Sequence, residues 1–421
     1  MSRLLPVASE SINKKKGKEE EPKKLNIALL TIGFHGDFKE ATKITILTLA
    51  QELQRRGHHP IVISDKREET PEFEILHGIP VYRKAISKLF QPFFIFHHFF
   101  SQPLALKDVE KKENMQFDVI HNFSSAPLLA LRGALARSLS GNKHCALVHT
   151  IKSRSKYQLG STFLARFLNV ADAITVHSIC IKDELQRYGA KTEKLHHIPS
   201  HIDLQQFVPM DKQHHRQHHP ELGYTADDLV VFYYGPFTKR KGTEYLLQAI
   251  PLVWEKNPKI KFLLSCKKQQ LSEEYEQLIA ELGICKGEQA KNLYILFSPD
   301  HIPPYLNMTD LVVMPYPELI ATESNPSCII ESMACKVPVI TSNLPELKEI
   351  FASIPRLHDA LFFEPKNPQA IAAKILLLAD DASLRKKLAD AGYRLAQGYD
   401  LRKVVSEYEG LYQRIMAKIK S

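Results

Sequence analysis

NIALLTI and GFHGDFKE, residues 26–40, followed by a helical stretch and then by PIVISD, residues 60–65, decide the fold. The first run is an apolar strand, the second a polar loop carrying Gly33 and Gly36. Ile46, Leu49, Ala50 and Leu53 then recur on one helix face, and Gly57 supplies the stop before the next strand. Strand, helix, strand is one βαβ unit. The alternation continues through FDVIH (Phe117–His121), a helix from Pro127, CALVH (Cys145–His149), AITVH (Ala173–His177) and LHHIP (Leu195–Pro199). Apolar strands alternating with helices predict a parallel sheet covered on both faces, which binds ligands in the loops beyond the carboxyl ends of its strands. His121, His149 and His177 sit at such ends, and Thr150, Lys152 and Arg154 follow His149. A strand-end histidine is more often a hydrogen-bonded structural group than a reacting one.

Between Pro199 and Leu229 the alternation lapses into a polar, histidine-rich stretch that reads as the crossing between domains. His214, His215, His218 and His219 have helical spacing for a metal, yet no acidic or cysteine partner stands nearby to support one. A second alternating set begins with LVVFYY (Leu229–Tyr234), the loop GPFTKRKG (235–242) and a helix from Thr243, and continues through KIKFLLS, LYILF, DLVVMP and VPVITS. A basic loop between a strand and a helix start makes a phosphate cradle, here Gly235, Thr238, Lys239, Arg240, Lys241 and Gly242. Its spacing is not that of a P-loop, and the loop after the first strand lacks the three glycines of a dinucleotide fingerprint, which disfavours a nicotinamide enzyme.

The 421 residues have room for two domains, and 44% hydrophobic with 24% charged residues is ordinary for a soluble chain. Residues 1–24 are charged and poor in apolar side chains, a disordered tail without a secretory leader. The six cysteines lack CxxC spacing and read as reduced thiols of a cytoplasmic protein. A net charge of +9 points to anionic partners: nucleotide phosphates, acidic lipid headgroups or, less favoured, nucleic acid. The basic and aromatic stretch from Tyr82 to Lys112 fits a peripheral site on an anionic membrane surface, the inner face for a cytoplasmic protein. The competing reading packs LFQPFFIF under the first sheet and is slightly favoured.

Chemistry is written most densely in ELIATESNPSCIIESMACKVPVITS, residues 318–342. Asn325 can cap and Pro326 suits the first helical position, so a helix opens at Asn325 and offers the amides of Ser327, Cys328 and Ile329 to an anion. Glu323 and Glu331 bracket that site. Glu331 has no lysine or arginine three or four residues away, whereas Ile329, Ile330, Met333 and Val337 form the stripe that faces a core.

Together these residues resemble the retaining glycosyltransferases of family 4. Glu323 and Glu331 match the family's E-x7-E motif, GPFTKRKG is similar to its G-R-x4-K-G loop, and RRGHHPIVIS, FDVIHNF, the HT of LVHTIKSRS, ADAITVHS and HIDLQQFVP follow in its order. The resemblance covers nearly everything after the tail. It implies an α/β GT-B fold: two Rossmann-like, doubly wound parallel-sheet domains facing a central cleft, spanning 25–203 and 204–395, with a last helix in 396–421 returning to the first domain. It further implies a metal-independent hexosyltransferase whose nucleotide diphosphate sugar is a substrate rather than a cofactor. Glu331 would hold the ribose hydroxyls, Glu323 the donor sugar, and the amides after Asn325 the diphosphate. Lys241 would neutralise the leaving phosphate, Gly33 and Gly36 would approach the donor, and His149 would lie beside the sugar. The acceptor, a glycan, lipid or small molecule, is not implied.

Several positions depart from the family pattern. Pro236 stands where the family has an arginine, removing a bidentate phosphate contact, and Lys239 and Arg240 are the cations at hand to replace it. Lys336 stands where glycine usually ends the helix. A catalytically silent sugar-nucleotide-binding protein of the same fold is the alternative that Pro236 motivates.

Overall fold

The structure is a computed structural model and describes residues 23–36, 41–66, 69–85, 94–154, 165–266, 268–286, 288–320 and 322–420. The first sheet contains β1 (Asn26–Leu30), β2 (His59–Asp65), β3 (Phe73–Leu76), β4 (Ile79–Lys84), β5 (Val119–Phe123), β6 (Ala146–Ile151), β7 (Ala173–Val176) and β8 (Leu195–His197). Their order is β3-β4-β2-β1-β5-β6-β7-β8, parallel throughout except for the antiparallel β3–β4 pair at the edge. β5, β6 and β7 are buried at every residue because helices cover both faces.

The second sheet contains β9 (Val230–Gly235), β10 (Lys261–Cys266), β11 (Leu293–Phe297), β12 (Leu311–Met314), β13 (Val339–Ser342) and β14 (Phe362–Phe363). The order is β11-β10-β9-β12-β13-β14, and every pairing is parallel. Both sheets are therefore doubly wound α/β layers, the architecture of a GT-B fold. In each, the chain leaves its first strand in one direction and later resumes on the other side, so a switch point lies between β1 and β5 and another between β9 and β12.

The last helix, Leu401–Lys420, belongs to the first sheet. Leu401, Val404, Val405, Tyr408, Leu411, Tyr412 and Ile415 share a core with Ile27, Leu29, Val62, Val119 and Val148. Each such large apolar side chain contributes about 1.5–3 kcal/mol by leaving water. Glu409 on this helix accepts from His58 Nε2 at 2.8 Å and pairs with Arg56, tying it to the helix Ala41–Arg55. The chain crosses between domains twice, and the two crossings pair: Ile202 N donates to Tyr399 O (3.0 Å) and Leu401 N to Ile202 O (2.9 Å).

The polar stretch 199–229 is thus a crossing only around Ile202. Its helix, Lys212–His218, packs on the second domain, where buried Arg216 donates to Met308 O (3.0 Å) and Asp310 Oδ2 (2.8 Å). Around the suggested membrane stretch, residues 86–93 lie outside the described residues. Two of the flanking cations are engaged within the domain: Lys84 pairs with Asp108, and the Lys112 ammonium lies 5.1 Å from the Phe73 ring and 5.4 Å from the Tyr82 ring. Among the described residues no helix is long and apolar enough to cross a membrane.

Candidate active site

Loops from both switch points meet at the domain boundary. From the first domain come the loop after β1, with Gly33 (φ +67) and Gly36 (φ +55), and the start of the helix Ala41–Arg55. Gly33 N donates to Asp65 Oδ1 (2.5 Å) and Phe34 N to Ser64 Oγ (3.0 Å), so the end of β2 pins this turn. From the second domain come the turn after β9 and the loop after β12. They meet at Thr42, whose hydroxyl donates to Glu323 Oε1 at 2.9 Å across 281 residues of sequence. Ser324 N and Ser324 Oγ each donate to Lys152 O at 3.0 Å, and Asn325 Nδ2 donates to His177 O.

Two further contacts close the same boundary. Arg154 reaches both Glu184 in its own domain and Glu346 in the other, each at 2.8 Å. The Glu349 carboxylate accepts from Ile179 N (2.9 Å) and Cys180 N (2.5 Å), placing a negative charge from one domain on a helix N-terminus of the other.

Within the second domain the basic turn and the helix after Asn325 are neighbours. Gly242 (φ +70) backs so closely on the β12 loop that a Cβ there would stand 1.8 Å from Pro315 O. The Lys241 ammonium lies 4.9 Å from the Tyr316 ring, and the Tyr316 hydroxyl is 3.0 Å from Cys328 Sγ in the helix Ser327–Ala334. Tyr234, near the end of β9, completes the chain: its hydroxyl lies 2.8 Å from both Cys328 O and Glu331 Oε2. Burial pushes the Tyr234 and Tyr316 phenols well above their usual range, Glu331 and Cys328 respectively adding to it, so both remain protonated. Cation, helix N-terminus and Glu331 are thus joined by one run of contacts, with Glu323 at the adjoining domain boundary.

Several expectations need correction. Asn325 does not cap the helix, which begins at Ser327 with Pro326 before it; its Nδ2 donates to His177 O of the other domain, and its Oδ1, the atom a cap would use, has no hydrogen-bond partner among the described residues. The Ile329 amide is bonded to Pro326 O (3.1 Å) and is not offered to a ligand; those of Ser327 and Cys328, at half-exposed residues, remain in the set. Lys239 turns outward onto Glu274 (2.7 Å) with 74% of its side chain exposed, and Arg240 is exposed too, so neither is oriented as a substitute for the missing arginine. Gly235 and Thr238 frame the turn, and Lys241 is the half-buried cation within it.

His149 is 1% exposed, its Nδ1 accepting from Asn122 Nδ2 (2.8 Å) and its Nε2 donating to Ser124 O (3.0 Å). Burial, reinforced by Arg132, takes its pKa down to about 3. It is a neutral, doubly bonded and buried group, which narrows the catalytic role expected of it. His121 is similarly held, between the Tyr412 hydroxyl (2.7 Å) and Thr150 Oγ1 (2.5 Å).

Thr42, Tyr234 and Tyr316 went unread as site residues. The tyrosines belong to apolar runs that read as core, and their hydroxyls become visible only once β9 is set beside β12. Lys336 does adopt the left-handed conformation (φ +60) of a helix-ending glycine, with its ammonium on Asp390 at 2.9 Å.

Comparison with known proteins agrees with this fold. The sequence profile "Glycosyltransferase Family 4" matches residues 43–206 and "Glycosyl transferases group 1" matches 215–395, together most of the chain. An uncharacterized glycosyltransferase of Methanocaldococcus jannaschii is 23% identical over 382 residues, covering 87% of this chain and 92% of that protein. Sucrose-phosphate synthase of Thermosynechococcus elongatus superposes with a TM-score of 0.75 at 23% identity, covering 94% of this chain and all of that one. The Anabaena protein HepE, solved with UDP-glucose, superposes at 0.70 with 17% identity over 92% of this chain and 100% of its own. Two sheets wound about facing switch points and the two matching profiles lead to one statement: the chain belongs to the group 1, family 4-like glycosyltransferases of GT-B fold.

Proposed function

We propose that this glycosyltransferase moves a hexose from a nucleoside diphosphate sugar to an acceptor held by the first domain, with retention at the sugar carbon. The observation that carries the reading is the run of contacts from Lys241 through Tyr316 and Cys328 to Tyr234 and Glu331, which brings together a cation, a helix N-terminus and a carboxylate. In this reading Glu331, oriented by Tyr234, receives the ribose hydroxyls. The amides of Ser327 and Cys328 take the diphosphate, and Lys241 neutralises the oxygen that leaves. Gly33 and Gly36 let the first domain's backbone approach the donor, and Glu323 faces the sugar, where positive charge develops as its bond to the phosphate breaks. Fixed donors at the leaving oxygens lower that barrier, so the cationic work falls to Lys241 and helix amides. The UDP-glucose held by the Anabaena protein of similar fold supports a nucleotide-sugar donor.

Incubation with UDP-, GDP- and ADP-sugars, alone and with cell extract, and measurement of released nucleotide is the test. Glu331→Ala is expected chiefly to weaken donor binding and Lys241→Ala chiefly to lower turnover; near-wild-type behaviour of both refutes the site. Pro236, together with the outward turn of Lys239, favours a second reading, a silent sugar-nucleotide binder. Binding of a donor without release under any condition selects it. We place the protein in the cytoplasm, peripheral to a membrane if its acceptor is a lipid; sedimentation with anionic vesicles checks this, and no pelleting retires it.

A further inference from the structure

The residue that follows β6, Lys152, is 4% exposed although it stands where the two domains meet. Lysine is seldom buried so fully unless its charge is used. Its ammonium donates to Thr42 O at 3.3 Å and lies 5.7 Å from the Phe123 ring centroid. The carboxylate whose charge it feels is that of Glu323, one threonine away: the Thr42 backbone carbonyl accepts from the ammonium while the Thr42 hydroxyl donates to Glu323 Oε1 at 2.9 Å. Docking of the two domains at this point needs none of that charge. The Lys152 carbonyl alone receives Ser324 N and Ser324 Oγ, and an alanine would supply the same carbonyl.

We propose that Lys152 is a closure-dependent positioning residue for sugar transfer: its ammonium, carried by the first domain, holds the Thr42 carbonyl so that the Thr42 hydroxyl keeps the Glu323 carboxylate of the second domain aimed at the donor sugar, and the site is assembled only when the domains are docked. The inference rests on the glycosyl-transfer reading above. It explains why a charge is buried at a seam that main-chain bonds already hold.

The electrostatics of the surroundings are simple. Burial, opposed by Glu323, takes Lys152 down to about 8. The histidines that feel its charge are held neutral, His201 at about 3 and His121 and His177 well below the ordinary value. Among these groups, Lys152 alone changes charge between pH 6 and 9. Activity that needs the ammonium therefore falls as pH rises through about 8. Stability moves oppositely: the unfolded lysine, at its ordinary 10.5, binds more protons between about 8 and 10.5 than the folded one, so stability rises with pH across that window. The charged residue costs stability at neutral pH.

Full-length wild type and Lys152→Met are compared by nucleotide release from a cleaved donor sugar, from pH 6 to 9.5, and by thermal unfolding from pH 7 to 10.5. Expected are a fall in kcat of about 10- to 100-fold with little change in KM, the size a small misplacement produces, loss of the alkaline limb, and a Tm at pH 7 at or above that of wild type. An unchanged kcat with the limb intact overturns the proposal. So does a drop in Tm with equal loss of rate at every pH, which marks a packing role. If wild type cleaves no donor, the transfer reading itself has failed. The unfolding arm still decides on the buried charge, because a wild-type minus Met difference in Tm that does not change with pH overturns it.

Discussion

Gly242→Ala is the sharpest test of how the site is assembled. Gly242 joins the turn Lys239–Lys241 to the helix Thr243–Lys256 at φ +70, a left-handed conformation that costs an L-residue about 1–2 kcal/mol. A Cβ there also stands 1.8 Å from Pro315 O, where real contacts are essentially never under 3.0 Å, so the turn and the β12 loop must separate by about 1.2 Å. Overpacking of this kind adds about 1–3 kcal/mol, for a total of about 2–5 kcal/mol. Gly223 is the control: its φ is +61 and nothing lies within 4 Å of its Cβ position, so Gly223→Ala meets the conformational cost alone.

The functional consequence follows from what adjoins Pro315. Tyr316 carries Lys241 on its ring and reaches Cys328 with its hydroxyl, so a separation of this size moves the cation relative to the helix N-terminus. A misplacement near 1 Å lowers the rate by about 100-fold. Thermal unfolding and kcat/KM for nucleotide release, measured on both variants, read the two effects separately. Equal losses in Gly242→Ala and Gly223→Ala, in Tm and in rate, would refute the claim that the basic turn is braced by the β12 loop.

Tyr234→Phe keeps the ring and removes the hydroxyl 2.8 Å from Glu331 Oε2; since a hydrogen bond to a charged group is worth about 1.5–3 kcal/mol, donor affinity by titration calorimetry is expected to fall about tenfold or more, and an unchanged Kd refutes the orienting role. Acid sensitivity is expected from the buried histidines. Burial holds His149 and His201 at about 3 and takes His121 and His177 well below 6.5, so on acidification the unfolded chain takes up protons first, and stability present above pH 6.5 is lost progressively toward pH 3. The urea midpoint should decline from pH 7 to pH 5, less steeply in His201→Gln; a midpoint level across that range excludes neutral buried histidines as the cause.

The two sheets were legible in the sequence because their central strands are buried on both faces and so read as unbroken apolar runs, with glycine or polar loops between them. The β3–β4 hairpin was not, since edge placement leaves Phe73 and Ile75 exposed and mixes Glu74, Arg83 and Lys84 among the apolar residues. Asn325-Pro326 is a correct local signal for a helix start that tertiary structure overrides: the side chain that local rules assign to the cap is instead turned so that its Nδ2 donates to a carbonyl of the other domain.

That override shows where reading along one chain stops. Strand order at the switch points follows from topology, so the loops that must carry the site can be named before any contact is known. What finishes the site is carried across the seam: Thr42 to Glu323, Ser324 to Lys152, Asn325 to His177, at separations of 281, 172 and 148 residues. No local propensity encodes such pairs, because each partner is locally unremarkable, a threonine in a first helical turn, a lysine after a strand, a carbonyl at a strand end. Their meaning arises only when two separately folded sheets face each other. Those same bonds exist only while the domains are docked, so the residues hardest to read from sequence are the ones on which the proposed coupling of docking to chemistry depends.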